Sequence, residues 1–193
     1  MDPLQRFSEL LGKVRANPGI LEPTGMTLST VGPDGRPSAR VVLLKGVDAR
    51  GLVFYTNSRS RKGREVLANP NVALTFWWPQ IETQVRFEGA ASRVTDEESD
   101  AYFASRVRIS QIGAWASQQS EELQSRAELE ARFAEVEKQY DGKTIPRPPH
   151  WFGFRVVPVV VEFWLSRPGR LHERDVYTRK GPDGAWSMKL LNP

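Results

Sequence analysis

Apolar residues recur at helical spacing in three stretches of this chain and at strand spacing, or in short blocks, across most of the rest. Leu4, Phe7, Leu10, Leu11 and Val14 define one helical face, which predicts a helix over residues 3–15 with Asp2 as its cap and Pro3 in its first turn. Residues 24–31 read as a strand, joined through Gly32-Pro-Asp-Gly to the strand that carries Arg40. Two apolar runs, 41–44 and 52–55, flank the turn-forming segment from Gly46 to Gly51 and predict a hairpin. A short helix over 60–68 follows, closed by Asn69-Pro70, and 72–78 and 83–94 are two further strands.

Thr95-Asp-Glu-Glu98 and Ser125-Arg-Ala-Glu128 are capping boxes that open helices. The first predicts a helix over 97–106. The second opens a helix in which Leu129, Phe133, Val136 and Tyr140 share a face. The chain then runs through a proline-rich loop at 146–149 into a long apolar strand over 154–165, a strand over 170–178, the Gly181-Pro-Asp-Gly184 turn and a last strand over 186–190. Many short strands in succession, few separated by helices, favour an α+β, mainly β domain whose antiparallel sheet closes as a barrel with flanking helices. No Gly-x-Gly or Gly-Lys-Ser/Thr pattern argues for a parallel nucleotide-binding sheet. The length of 193 residues suits a single domain spanning 1–193.

Composition narrows the chemistry. The chain has no cysteine, which removes disulfides, thiolate catalysis and cysteine-based metal sites. A pI near 9.6 accompanies a net charge of only +4, weak support for a nucleic-acid partner. The N-terminus has no basic region leading into an apolar one, and no run approaches a membrane span. The expectation is a cytoplasmic protein with neither nucleic acid nor membrane as partner.

The polar residues then cluster. Arg40 and Lys45 bracket one strand, and Ser58, Ser60, Arg61 and Lys62 stand where a helix begins, so free amides, the positive end of the helix dipole and two cations suit a phosphate. Any one of these cations, taken singly, reads more readily as a solvated surface charge; the cluster is what points to an anion. Tyr102, Arg106 and Ser110 are spaced by four and on a continuous helix would share one face, a second anion cradle; a half-buried tyrosine under a solvated arginine is the plain alternative. Arg170, His172 and Arg174 alternate and on a strand would point to one face, either toward an anion or as a charged edge strand. Trp164 could stack on a planar group or be core, and Gln119 and Ser120 add little alone. With no metal motif and no nucleophilic triad, an enzyme built from these groups would rely on a bound cofactor.

Taken in order, Arg40-Val-Val-Leu-Leu-Lys45, Phe54-Tyr-Thr-Asn57, Ser60-Arg-Lys62, Gln84-Val, Tyr102-Phe-x-Ser-Arg106, Ser110-Gln-Ile-Gly-Ala-Trp115, Gln119-Ser120, Val161-Glu-Phe-Trp164 and Arg170-Leu-His-x-Arg174 resemble the pyridoxamine/pyridoxine 5′-phosphate oxidase family. The resemblance implies an FMN-binding split β-barrel, a homodimer with FMN at the subunit interface. It implies that Arg40, Val41, Val42, Leu43, Lys45, Tyr55, Thr56, Ser60, Arg61 and Lys62 bind FMN, with Gln84 and, from the second subunit, Gln119, Ser120, Trp164 and Arg174. Lys45, Tyr102, Arg106 and Ser110 would hold the substrate 5′-phosphate, and Arg170 and His172 would lie over the pyridine ring as the catalytic residues. The implied reaction passes a hydride equivalent from C4′ of pyridoxamine or pyridoxine 5′-phosphate to the flavin, which dioxygen reoxidises to give hydrogen peroxide.

Two other functions fit the same residues. One is a flavin oxidase of this fold acting on another ring, such as a phenazine precursor; relatives of that kind tend to lose the positions of Lys45 and Tyr102. The other is a non-catalytic flavin-binding module. The sequence also departs from the family pattern: it begins at the first helix where a basic, tyrosine-containing extension is common, which implies weaker closure over substrate, and Val107, Ile109, Phe152 and Leu190 stand at positions usually filled otherwise.

Overall fold

The computed structural model describes residues 2–193 and places helix α1 at Pro3–Arg15. Asp2 caps it, its carboxylate accepting from the Leu4 and Gln5 amides at 2.8 and 3.2 Å. Leu4, Phe7, Leu11 and Val14 form the buried face. Phe7 reaches the middle of the core, with ring centroids 4.9 Å from Phe76 and 4.8 Å from Phe87, so α1 plugs the sheet through one aromatic side chain.

Among the described residues nine strands form one antiparallel sheet: β1 (Gly25–Val31), β2 (Pro37–Leu43), β3 (Gly46–Asp48), β4 (Gly51–Asn57), β5 (Asn71–Trp78), β6 (Thr83–Arg93), β7 (Trp151–Leu165), β8 (Glu173–Thr178) and β9 (Ser187–Leu190). The order is β2-β1-β5-β6-β7-β4-β3, with β8 on β7 and β9 on β8. β2 and β3 lie at opposite ends of this order although only Leu44 and Lys45 separate them. The Leu44 amide donates to the Thr24 carbonyl at 2.9 Å and the Lys45 amide to that of Val53 at 2.8 Å, so these two residues draw the sheet edges together into the expected split barrel. The register slips between Glu88 and Gly89, where the sheet bends; a Cβ on Gly89 would lie 2.2 Å from the Val157 carbonyl oxygen, and only glycine allows that approach.

The predicted hairpin between 41–44 and 52–55 does not form. β2 pairs with β1, and β4 pairs with β3 and β7. Gly46–Asp48, expected as the turn, is itself a strand, and the turn is confined to Ala49-Arg50. The physical reason is burial: most of β4 is buried, and it finds its long neighbour in β7, where Leu52 to Asn57 pair with Val156 to Trp151.

Three further helices, α3 (Asp96–Ser105), α4 (Arg108–Ala116) and α5 (Arg126–Gln139), cover one end of the barrel, while α2 (Arg61–Ala68) follows β4. Both capping residues are where the pattern puts them: Thr95 and Glu98 form the reciprocal box, and Ser125 accepts from the Glu128 amide. The helix expected over 97–106 ends at Ser105, Arg106 is extended and Val107 leads into α4, so the continuous helix that would align Tyr102, Arg106 and Ser110 on one face is not formed. Phe103 and Ile112 must both enter the small core around Ile145 and Trp151, and a turn between them achieves it. The Phe103 carbonyl accepts from the Arg106 backbone amide at 3.2 Å and from the Gln111 side-chain amide at 2.9 Å. The strand expected from 170 starts only at Glu173; Pro168–Arg170 is a 3₁₀ turn with Gly169 and Arg170 at positive φ. Among the described residues no helix is long and apolar enough to cross a membrane.

Candidate active site

The start of β7 is the floor of the site. Trp151 lies nearly parallel to Tyr55 of β4 and Tyr102 of α3, with centroids 5.4 and 6.1 Å away, and the two tyrosines stack at 4.1 Å. This wall bounds a cleft of about 290 Å³ whose other sides are Val41, Val42 and Leu43 of β2, with Lys45, Thr56, Lys62, Arg106 and Gln119. A second cleft of about 220 Å³ shares Asn57, Arg106, Gln119 and Trp151 and extends to Ser110. The break after α3 therefore does not scatter Tyr102, Arg106 and Ser110; it turns them around one space.

The cations in this space lack the usual partners. Arg106 Nη1 is buried without a hydrogen-bond acceptor among the described residues, and burial pushes its pKa down, against a smaller raising influence from Tyr102. Burial and then the neighbouring Arg40 push the Lys62 ammonium down as well. Its contacts are neutral: Gln119 Oε1 at 2.9 Å and the Thr56 hydroxyl at 3.5 Å. Desolvated cations with spare donors are what an anionic ligand satisfies. Burial, followed by Glu98 and Tyr102, raises the Tyr55 phenol, which stays a neutral donor at pH 7, its hydroxyl 3.3 Å from the Glu98 carbonyl.

Behind the cleft lies Glu65 of α2, a buried carboxylate that the sequence did not single out. It accepts from Thr30, from Ser38 at 2.8 Å, from Arg40 at 3.0 Å and from Arg61 at 2.8 Å. Burial alone would raise its pKa; these donors outweigh burial and bring it to about 2. Arg40 and Arg61 are thus held from behind by one anion. Ser60 is fully buried, its hydroxyl donated to the Asn57 carbonyl at 2.7 Å and accepting from the Gly63 amide. It caps α2, so its side chain faces inward and is not free for the cofactor contact expected of it. Gly63 lets the first turn of α2 lie on the preceding loop: a Cβ there would be 2.5 Å from the Asn57 carbonyl oxygen.

The remaining expected residues gather at the other end of β7, on the order of 40 Å away along the strand contour at about 3.3 Å per residue. Trp164 packs on His172 at 4.5 Å and edge-on to Trp77 at 6.0 Å. Gln84 and Arg174 are its cross-strand neighbours. Arg174 is ion-paired to the buried Glu162 at 2.7 Å. Arg170 is exposed on the turn and His172 accepts from the Arg167 amide, so the three alternating residues do not share one strand face. Within a single chain, then, Gln119 sits with Lys62 while Gln84 sits with Trp164, the reverse of the expected split for both glutamines. Ser120 follows Gln119 at positive φ and is exposed. Asn57 and Trp151, which line both clefts, were not among the expected site residues; the one sequence signal for Trp151 was an aromatic three residues before the expected strand.

Residues 14–140 match the family model described as pyridoxamine 5′-phosphate oxidase, and 151–193 match that of the pyridoxine 5′-phosphate oxidase C-terminal dimerisation region. The chain belongs to the pyridoxamine 5′-phosphate oxidase family. Among curated relatives of that family, the pyridoxine/pyridoxamine 5′-phosphate oxidase of Myxococcus xanthus is 58% identical over 192 residues, covering 100% of this chain and 92% of its own. That of Rubrobacter xylanophilus is 55% identical over 193 residues, covering 100% and 87%. Among solved structures, PhzG from Burkholderia lata 383 in complex with tetrahydrophenazine-1-carboxylic acid superposes with a TM-score of 0.92 at 33% identity, covering 100% of this chain and 93% of that one. The fold is shared further with a pyridoxamine 5′-phosphate oxidase-related, FMN binding protein from Nostoc punctiforme, TM-score 0.78 at 19% identity, covering 100% and 99%.

Proposed function

We propose that this chain is an FMN-dependent oxidase that converts pyridoxamine 5′-phosphate or pyridoxine 5′-phosphate to pyridoxal 5′-phosphate, working as a homodimer. The observation that carries this reading is the buried, partnerless Nη1 of Arg106 in a cleft that also holds Lys45 and Tyr102, a donor set suited to a phosphate monoester. The full-length similarity to curated oxidases of these two substrates supports the same conclusion.

The residues present fit a phosphate-bearing flavin: Lys62 is desolvated beside Arg40 and meets only neutral acceptors, at the first turn of α2. Arg40, Arg61 and Lys62 would hold its phosphate side, Val41 to Leu43, Tyr55, Thr56, Gln119 and Ser120 its body, and Gln84, Trp164 and Arg174 of a second copy would complete the enclosure. FMN held there would supply a two-electron acceptor that dioxygen can reoxidise, with hydrogen peroxide as the product. Lys45, Tyr102, Arg106 and Ser110 bind the substrate phosphate and fix the distance of C4′ from the cofactor. The Tyr55–Tyr102–Trp151 wall excludes water from that end. Arg170 and His172 of the second copy orient the pyridine ring, and no side chain has to act as a strong base. The amine substrate gives up two electrons and one proton at C4′, and water then releases ammonia to leave the aldehyde.

Aerobic incubation of the FMN-loaded protein with each phosphate should produce the aldehyde and an equal amount of peroxide. A yellow protein that turns over neither substrate overturns the reading. The 33% identical phenazine-bound structure supports a second reading, oxidation of a partly reduced phenazine; Lys45 and Tyr102 favour the phosphorylated substrates, and turnover of the phenazine alone would reverse that preference.

A further inference from the structure

We propose that Trp151 is the positioning residue that holds the Arg106 guanidinium at the substrate-phosphate end of the cleft. The inference rests on the phosphate role given to Arg106 above. Arg106 lies at the break between α3 and α4, in extended conformation, so helical hydrogen bonding does not fix its orientation, and a long free side chain has about 2 kcal/mol of rotamer entropy to lose. What lies against its charge is aromatic. The guanidinium carbon is 4.7 Å from the Trp151 ring centroid and 5.7 Å from that of Phe103, a cation–π geometry.

A ring face has one property that a carboxylate partner lacks. An Asp or Glu would occupy the in-plane N–H groups that a phosphate needs; a ring holds the charge from one face and leaves those groups free. The partnerless Nη1 is the visible consequence. Trp151 is itself well anchored. It is 7% exposed, edge-on to Phe103 at 5.2 Å, donates its amide to the Pro148 carbonyl at 3.0 Å and accepts from Arg147 at 2.9 Å. Lining both clefts, it can set Arg106 at their junction.

The test compares Trp151→Leu and Trp151→Phe with the native FMN-loaded protein. Partly desolvated cation–π contacts of this kind predict that Trp151→Leu raises KM for pyridoxamine 5′-phosphate about tenfold, with a smaller change in kcat and in bound FMN, and that Trp151→Phe costs about threefold. The Kd for inorganic phosphate, read on the FMN-loaded protein by phosphorus NMR line broadening, should rise in parallel. In an Arg106→Gln background both substitutions should add almost nothing, because the two residues act as one unit. Additive losses in that background, or loss of kcat and FMN in step with KM, overturn the proposal. If Trp151→Leu does not fold, Trp151→Phe in the same cycle decides by the same criteria. If the native protein shows no turnover, the oxidase reading fails by itself, and the phosphate affinities still judge Trp151.

Discussion

Arg40 Nη2 lies 3.0 Å from Glu65 Oε2, an ion pair in which the carboxylate is almost wholly buried and the guanidinium mostly so. Burial raises the Glu65 pKa and the surrounding donors lower it further, to about 2 from an ordinary value of 4.5. The folded value is below the unfolded one, so this group's contribution to stability is complete above about pH 4.5 and is lost as pH falls toward 2. Acid unfolding of a Glu65→Gln variant should show a shallower decline across that window than the native protein. Glu65→Ala, which leaves Arg40 without its counter-charge, should cost on the order of 3 kcal/mol in urea unfolding.

Lys45 lines the cleft from the junction of β2 and β3. Lys45→Ala removes one charge-assisted contact to the substrate phosphate, and KM should rise roughly tenfold, the equivalent of about 1.4 kcal/mol. Flavin absorbance of the purified variant should fall much less. Equal loss of bound flavin would assign Lys45 to the cofactor instead.

Arg61 and Lys62 open α2; Arg61 is ion-paired through Nε to Glu65, whereas Lys62 meets only the neutral Gln119 and Thr56. Replacing both with Ala removes two charge-assisted hydrogen bonds to the flavin phosphate, which should weaken FMN binding roughly a hundredfold. Fluorescence titration of the apoprotein with FMN measures this directly. A variant that purifies as yellow as the native protein contradicts the assignment.

Gly63 offers a test of sign. Helix propensity alone would make Gly63→Ala stabilising by up to about 1 kcal/mol. The added Cβ would meet the Asn57 carbonyl oxygen at 2.5 Å and Ser58 Cα at 2.6 Å, which should destabilise by about 1–3 kcal/mol. A lower Tm with weaker FMN binding is expected, because the same turn carries Lys62.

Local patterns were legible in the chain itself. The α1 face, the Thr95 and Ser125 caps, the existence of most of the strands and the clustered cations depend on spacings within a few residues, where helix and strand periods leave a direct mark. Family membership was legible too, since nine short motifs retain their order. Pairing was not. Val41 to Leu44 read as the hairpin partner of the 52–55 run because they are neighbours in sequence, whereas β4 gains more by burying itself against the distant β7. Tyr102, Arg106 and Ser110 have a helical spacing that the demands of Phe103 and Ile112 override. The sequence by itself determined which residues are candidates for binding two phosphates and which local elements carry them. Only the tertiary structure decided that Gln119 joins Lys62, that Gln84 joins Trp164, and that Trp151 and Glu65 stand behind the two arginine sites, because contacts between residues dozens of positions apart follow from burial across the whole sheet and leave no periodic trace in the chain.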